Sequence, residues 1–393
     1  MRRFLQLHYL TAYPASLLNR DDAGFAKRIP FGGAVRTRIS SQCLKRHWRT
    51  FDGDAGLAGI RGQEIMSVRS RYTFREKIAR PLVELYGEER VYRVTAAVAN
   101  HVLGKGKEKE GVDAKTLQTK QIVVLGYPEV EYLRGVVERV CANQAEVKEP
   151  DEAVKRELKA EGLKNLRAIG NGAGLDAALF GRMKTSDLLA DCDAAVHVAH
   201  AFTVHEEQSE TDYFTAVDDL MEELEGEGEG RLGAGHVNAA ELTSGLYYGY
   251  VAVDLPLLVS NLEACPPEEW ERADRGLAAE VAARLVRIVA QASPGARRGA
   301  TAPYAFAHFL AAEVGDAQPC SWANAFFRPV PAGPDLEDRA LQALGRYLER
   351  FDAVYEPGNE RRYITLNGAA VPGAADAGRL SNLAAWVRQQ VEG

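Results

Sequence analysis

Apolar and polar positions alternate at the start of the chain. Leu5, Leu7 and Tyr9 are separated by Gln6 and His8, which predicts a first strand. The stretch Val35-Arg36-Thr37-Arg38-Ile39 sets basic side chains against apolar or β-branched ones, the period of a half-buried strand. Ser40 then reads as a helix N-cap, and Leu44, Trp48 and Phe51 follow at helical spacing, so that one face packs inward. Beyond about Gly53 the pattern becomes helical over 62–87, 89–103, 129–147 and 150–167, with a charged loop at 104–120. Strands are predicted at 195–204, 246–255 and 304–314, and amphipathic helices at 268–292, 336–351 and 380–391. No internal repeat is present.

The helix after Ser40 carries the most pointed chemistry. Lys45 and Arg49 stand four apart on one face with Arg46 beside them, and Ser40, Ser41 and Gln42 add short hydrogen-bonding groups at the helix start. Free backbone N–H groups there attract anions, so a phosphate chain can run along this surface. A solvated basic helix is the plain alternative. Pro30-Phe31-Gly32-Gly33 predicts a turn that permits close backbone approach. Gly170 to Gly174 is glycine-rich but has neither the Lys-Ser/Thr of a phosphate loop nor dinucleotide-binding spacing. Asp176 is expected to cap a short helix ending near Gly181-Arg182-Met183, with Met183 exposed at its end.

His197, His200 and His205 look like a metal triad. On a continuous strand, however, His200 points away from the other two, which lie about 26 Å apart at ~3.3 Å per residue. The acidic stretch 206–229 is interrupted by Tyr213-Phe214-Thr215 and reads as an exposed projection. Its aromatic residues either pack on a neighbouring molecule, stack on bases or form a local clasp. Asp218, Asp219, Glu222 and Glu223 are of the type that binds Mg²⁺, although a solvated acidic helix accounts for them equally.

Charge distribution sharpens this picture more than total charge does. The net charge is −7, yet residues 1–49 carry ten Lys/Arg against Asp21 and Asp22, a local +8 that leaves −15 for the remainder. A basic face on an acidic body is an electrostatic footprint for a polyanion. Five scattered cysteines without a CxxC argue against a zinc site or disulfide framework and fit a reducing cytoplasm. Gln6, His8 and Pro14 break the apolar run after Arg2-Arg3, so no signal peptide is expected, and no run reaches the length of a membrane span.

Several motifs taken in order resemble one family. They are L-N-R-D-D at 18–22, F-G-G at 31–33, R-I-S-S-Q-x-L-K-R at 38–46, G-R-M-x-T-S at 181–186, A-H-A at 199–201, F-T-A-V-D-D-L at 214–220, L-G at 232–233, S-G at 244–245, P-G-A at 294–296 and A-N-A-F at 323–326. Together they resemble the CasC-type backbone subunit of the type I-E CRISPR surveillance complex, Cascade. The resemblance spans nearly the whole chain, and the third and sixth motifs are its most specific. It implies an α+β fold: a modified RRM-like (ferredoxin-like) palm with a helical fingers insertion and a protruding thumb. The implied boundaries are 1–58 for the first part of the palm, 59–180 for the fingers, 181–204 for a palm strand region, 205–243 for the thumb and 244–393 for the rest of the palm with its C-terminal helices.

By matching position, Arg20, Lys27, Ser40, Gln42, Lys45, Arg46 and Arg49 are expected on RNA phosphate and sugar. Met183 is expected against a displaced base, and Phe214, Thr215 and Leu232 on the thumb. The implied partners are CRISPR RNA, target DNA, neighbouring copies of the chain (a hexameric backbone in the family) and subunits of the CasA, CasB, CasD and CasE types. Neither cofactor nor membrane is expected. The implied subunit is cytoplasmic and not a nuclease. Tyr213 stands where the family also has a Trp, and the acidic run 222–229 is heavier than the family pattern. The rival reading is a metal-dependent ribonuclease using Asp212, Asp218 or Asp219.

Overall fold

A computed structural model of the chain describes residues 2–60, 62, 65–103, 112–143, 149–158, 173–182, 192–216 and 236–393, with backbone alone at 214–216 and 236–238. Its strands are β1 (Phe4–Ser16), β2 (Arg28–Phe31), β3 (Ala34–Ile39), β4 (Ser67–Ser70), β5 (Val123–Gly126), β6 (Val196–Val198), β7 (Ala201–Thr203), β8 (Ser209–Ala216), β9 (His236–Asp254), β10 (Phe309–Gly315), β11 (Glu360–Thr365) and β12 (Ala375–Asp376). Its helices are α1 (Ser41–Arg49), α2 (Val83–Tyr86), α3 (Glu88–Leu103), α4 (Tyr127–Ala142), α5 (Pro150–Glu157), α6 (Leu175–Phe180), α7 (Leu255–Glu263), α8 (Gly276–Gln291), α9 (Arg298–Thr301), α10 (Leu336–Tyr355) and α11 (Leu380–Glu392).

The main sheet runs β12-β11-β10-β1-β9-β7-β3-β2, with β6 and β8 also paired to β9. Its alternation buries both faces. On β1, Leu5, Leu7 and Tyr9 enter a core with Leu44 and Trp48 of α1, Val281, Leu285 and Ile288 of α8, and Leu383 and Val387 of α11. Leu10, offset by one, joins Tyr248, Phe309, Trp322 and Phe326 in the opposite core, closed by Leu341, Leu344 and Leu348 of α10. Each large apolar side chain buried this way contributes about 1.5–3 kcal/mol. Gly249 faces Tyr9 across the β1–β9 pair, and a Cβ there would sit 2.1 Å from the phenol ring. A separate core is built from residues between Phe74 and Leu158, beside the small β4–β5 sheet. Among the described residues no helix is long and apolar enough to cross a membrane.

The even positions of β1 bring polar groups into the second core. Gln6 donates to Glu313 at 2.6 Å, Glu313 is ion-paired with the buried Arg361, and Arg361 reaches Asp352 at 2.5 Å. His8 stacks on Trp322 with ring centroids 3.4 Å apart, and its Nδ1 lies 2.9 Å from the Tyr248 hydroxyl. Burial, with Arg361 nearby, holds the His8 pKa well below its ordinary value. His47, His200 and His205 shift the same way, chiefly through desolvation. Folded pKa values below the unfolded one mean that the unfolded chain binds protons first, so stability is lost as pH falls below about 6.5. The unfolding midpoint is expected to drop between pH 7 and 5.5, with His8 alone contributing up to about 1.4 kcal/mol per pH unit in that window. A flat profile in denaturant titrations would show that these rings are not held neutral.

Several predicted elements differ in the structure. The 62–87 stretch is not one helix: it holds β4, a π-helical stretch Phe74–Ala79, a 3₁₀ turn Arg80–Leu82 around Pro81, and α2. The 268–292 helix begins only at Gly276, and the 304–314 strand only at Phe309. The 195–204 strand is broken into β6 and β7, which ends the simple alternation of its histidines. His205 is buried, donates from Nδ1 to the Glu206 carbonyl at 2.6 Å and accepts from Leu246 N–H at 3.1 Å, while His200 lies 2.9 Å from an Arg38 nitrogen. The described residues hold no metal-binding group of His, Cys, Asp or Glu.

Candidate nucleic-acid interface

The site is built on the first turn of α1. Ser40 is extended (φ −68°, ψ 147°) and its hydroxyl accepts from Cys43 N–H at 3.3 Å, as its place before the helix requires. Its own N–H donates to Asn19 Oδ1 at 2.9 Å, tying the 18–22 loop to the helix start. That loop is shaped by Asp21, whose carboxylate accepts from Ala23 and Phe25 N–H groups at 3.0 and 2.9 Å. Arg20 bridges to Ala26, and Lys27 N–H donates to the Asn19 carbonyl at 3.0 Å. Arg20 and Lys27 are thereby brought beside α1, from which the exposed Gln42 and Arg46 project. Ser40→Ala is expected to cost about 1 kcal/mol, read as a lowered melting temperature; an unchanged melt would mean the cap carries nothing.

The basic residues divide into those already partnered and those available. Arg36 points inward with 0% exposure while Val35 is 43% exposed, so β3 turns a guanidinium to the interior and an apolar residue to solvent. Arg36 donates to the carbonyls of Thr203 at 2.8 Å and Phe326 at 3.1 Å and thus fastens β3 to the 322–327 turn. Arg28 is ion-paired with Glu207 and Glu241. Arg49 lies 3.6 Å from the fully buried Asp176 carboxylate, which also accepts from Ser67 N–H and hydroxyl, both at 2.7 Å, and from Arg69 at 3.3 Å. Asp176 therefore does not cap its helix; it sits at the second position of α6 and draws α1, β4 and α6 together. Lys45 lies with its ammonium 5.8 Å from the Phe180 ring, and desolvation, with Arg69 close by, lowers its pKa.

A third segment, residues 293–301 with the short α9, lies beside this surface and was not singled out for charge in the sequence. Ala296 N–H donates to the Leu17 carbonyl at 2.9 Å, and Arg298 donates to the Ser293 carbonyl at 3.0 Å. The charges of Arg46, Lys27 and Arg298 all act on the Cys43 thiol, which burial nonetheless pushes up. Three cations from three separate segments thus lie near Cys43 on α1. The P-G-A motif was the available signal, with Arg297 and Arg298 directly after it.

The residues expected on the thumb stand apart from α1. Phe214 and Thr215 lie on β8, in register with Asn238 and Val237 of β9. Residues 236–242 of β9 pair only with β8, so this hairpin continues past the last β1 pairing at Thr243. Tyr213 on it is 72% exposed, and Asp212 is exposed beside it. Met183, Leu232, Asp218, Asp219 and the 222–229 run lie outside the described residues.

A family model described as CT1975-like protein matches residues 5–389. Among solved structures, a chain of a "CRISPR RNA-guided surveillance complex, pre-nicking" is similar with 26% identity and a TM-score of 0.77, over 98% of this chain and 99% of that one. A chain of a "CRISPR RNA-guided surveillance complex" shares the fold at 23% identity and a TM-score of 0.56, again over 98% and 99%. No curated protein matches the chain.

Proposed function

Because the chain belongs to the CT1975-like protein family, we propose that it is a CRISPR RNA-binding subunit of a Cascade-type surveillance complex. The observation that carries this reading is the capped N-terminus of α1, with Gln42 and Arg46 exposed on it and the segment bearing Arg20 and Lys27 tied to it through the Ser40–Asn19 hydrogen bond, on an otherwise acidic chain. Such a surface reads phosphate and not base identity, which is what a subunit holding an arbitrary guide requires. Within that reading the subunit is of the CasC type in a type I-E complex, cytoplasmic, and repeated along the guide with its neighbours of other types.

The palm is RRM-like in this proposal. The order β10-β1-β9-β7, with α1 and α8 on one face, supports it. The β8–β9 hairpin serves as the thumb that reaches a neighbouring copy and displaces a base with Met183 and Leu232, leaving the bases between free for target DNA. Residues 59–180 form the fingers.

The test is to co-express the chain with its neighbouring subunits and a CRISPR array, then measure the nucleic-acid to protein absorbance ratio and size the extracted RNA. A discrete RNA in a large particle is expected; an RNA-free monomer overturns the reading. The subunit is further proposed to be non-catalytic. Incubation of the assembled complex with Mg²⁺ and complementary RNA should give no cleavage, and cleavage abolished by Asp218→Ala or Asp212→Ala would overturn that claim.

A further inference from the structure

A second basic surface lies on the other side of the sheet from α1. The turn Trp322–Phe326 and the 327–331 segment after it face α10 across a groove of about 600 Å³. Arg328, Arg339, Arg346 and Arg350 line it, and no Asp or Glu does. Its floor is the core closed by Leu341, Leu344 and Leu348, whereas α1 packs into the core of the opposite sheet face. Arg339 is engaged with Asp335 at 2.7 Å, but Arg328, Arg346 and Arg350 make no ion pair among the described residues.

Two aromatic side chains stand among these arginines, the half-buried Tyr347 and the exposed Phe327. Phe327 is 58% exposed although its surroundings hold it in place. Its ring sits edge-on to Phe31 at 5.6 Å, and its carbonyl presses on Gly32 (φ +62°), where a Cβ would lie 1.5 Å from the oxygen. The F-G-G motif thus serves to seat Phe327 from below. Arg346 and Arg350 stand one helical turn apart, about 6 Å along the axis, and Arg339 extends the same row.

We infer that this groove is a second nucleic-acid site, which takes a single strand by two or three of its phosphates and stacks one base on Phe327. A groove lined by one sign of charge with an aromatic platform is the arrangement that holds single strands without regard to sequence. An acidic peptide would satisfy the arginines as well, but a ring open on one face between cations matches a base stacked between phosphates. The site does not depend on the α1 surface, so the two can fail separately.

The probe is a fluorescently labelled oligo-dT 12-mer, followed by anisotropy with the full chain carrying Lys45→Ala and Arg46→Ala to weaken the α1 surface. Residual binding is expected. Adding Arg346→Ala and Arg350→Ala should lower it at least tenfold and reduce the salt slope by about 1.4, at ~0.7 per phosphate for single strands. Phe327→Ala should weaken binding about fivefold or more with the salt slope unchanged. All three side chains are exposed, so the melting temperature should hold; if the α10 variant melts early, Arg328→Ala on the facing segment provides the same reading. Unchanged binding in the groove variants overturns the inference. So does a groove that binds a peptide copying residues 217–230 but not the oligonucleotide.

Discussion

Asp176→Ala is expected to destabilise the protein by about 3–5 kcal/mol, the range for removing one partner of a buried charge pair. The carboxylate is fully buried and is the shared acceptor for Ser67, Arg69 and Arg49. Its loss leaves two guanidiniums facing one another, and Arg69 already bears on Arg49: desolvation followed by Arg69 lowers the Arg49 pKa against the pull of Asp176. Asp176→Asn keeps shape but not charge, and should fall between wild type and the alanine variant. Denaturant unfolding checks the magnitude, and the Arg49→Ala double-mutant cycle checks the cause, with a coupling energy of 0.5–3 kcal/mol expected for direct contact. Additive losses, or a loss below about 1 kcal/mol, would show that the carboxylate does not organise this junction.

The second large effect concerns RNA. Lys45→Ala with Arg46→Ala should weaken guide binding by roughly 25-fold at 0.1 M salt, and should flatten the slope of log affinity against log salt by about 1.4, two charges at ~0.7 each. The loss should be even across guide sequences, because phosphate contacts carry no base information. A loss confined to some guides would reassign these side chains to base contact. Arg49 is the wrong partner for this test although it lies four residues from Lys45: its commitment to Asp176 would mix lost stability with lost affinity.

How far the sequence revealed the molecule depended on how local each cause is. The N-cap at Ser40 and the inward face of Leu44 and Trp48 follow from neighbours within a few positions, and both were legible. The long helix α10 was legible because its 3.6-residue period persists over many turns. The start of β10 was misplaced because Tyr304 and Phe306 continue the apolar alternation while remaining exposed. The late start of α8 traces to Pro266-Pro267, which open a separate 3₁₀ turn instead of the helix. The roles of Arg36 and Asp176 were out of reach, since their partners lie 167 and 109 positions away in Thr203 and Ser67. No periodicity encodes such pairings. On the candidate surface, composition marked the basic N-terminal segment, but only the fold distinguishes a cation spent on a carboxylate from one facing solvent.

The β9 strand is a single run of 19 residues, about 60 Å long at ~3.3 Å per residue. Its one end lies against β1 in the middle of the sheet and its other end pairs with β8 alone. The irregularity at the root of the hairpin falls between Tyr13 and Ser16 of β1 and leaves β9 unbroken. The projection is therefore a cantilever clamped in the core. In the proposed assembly, the reach from one subunit to the next would be set by this beam.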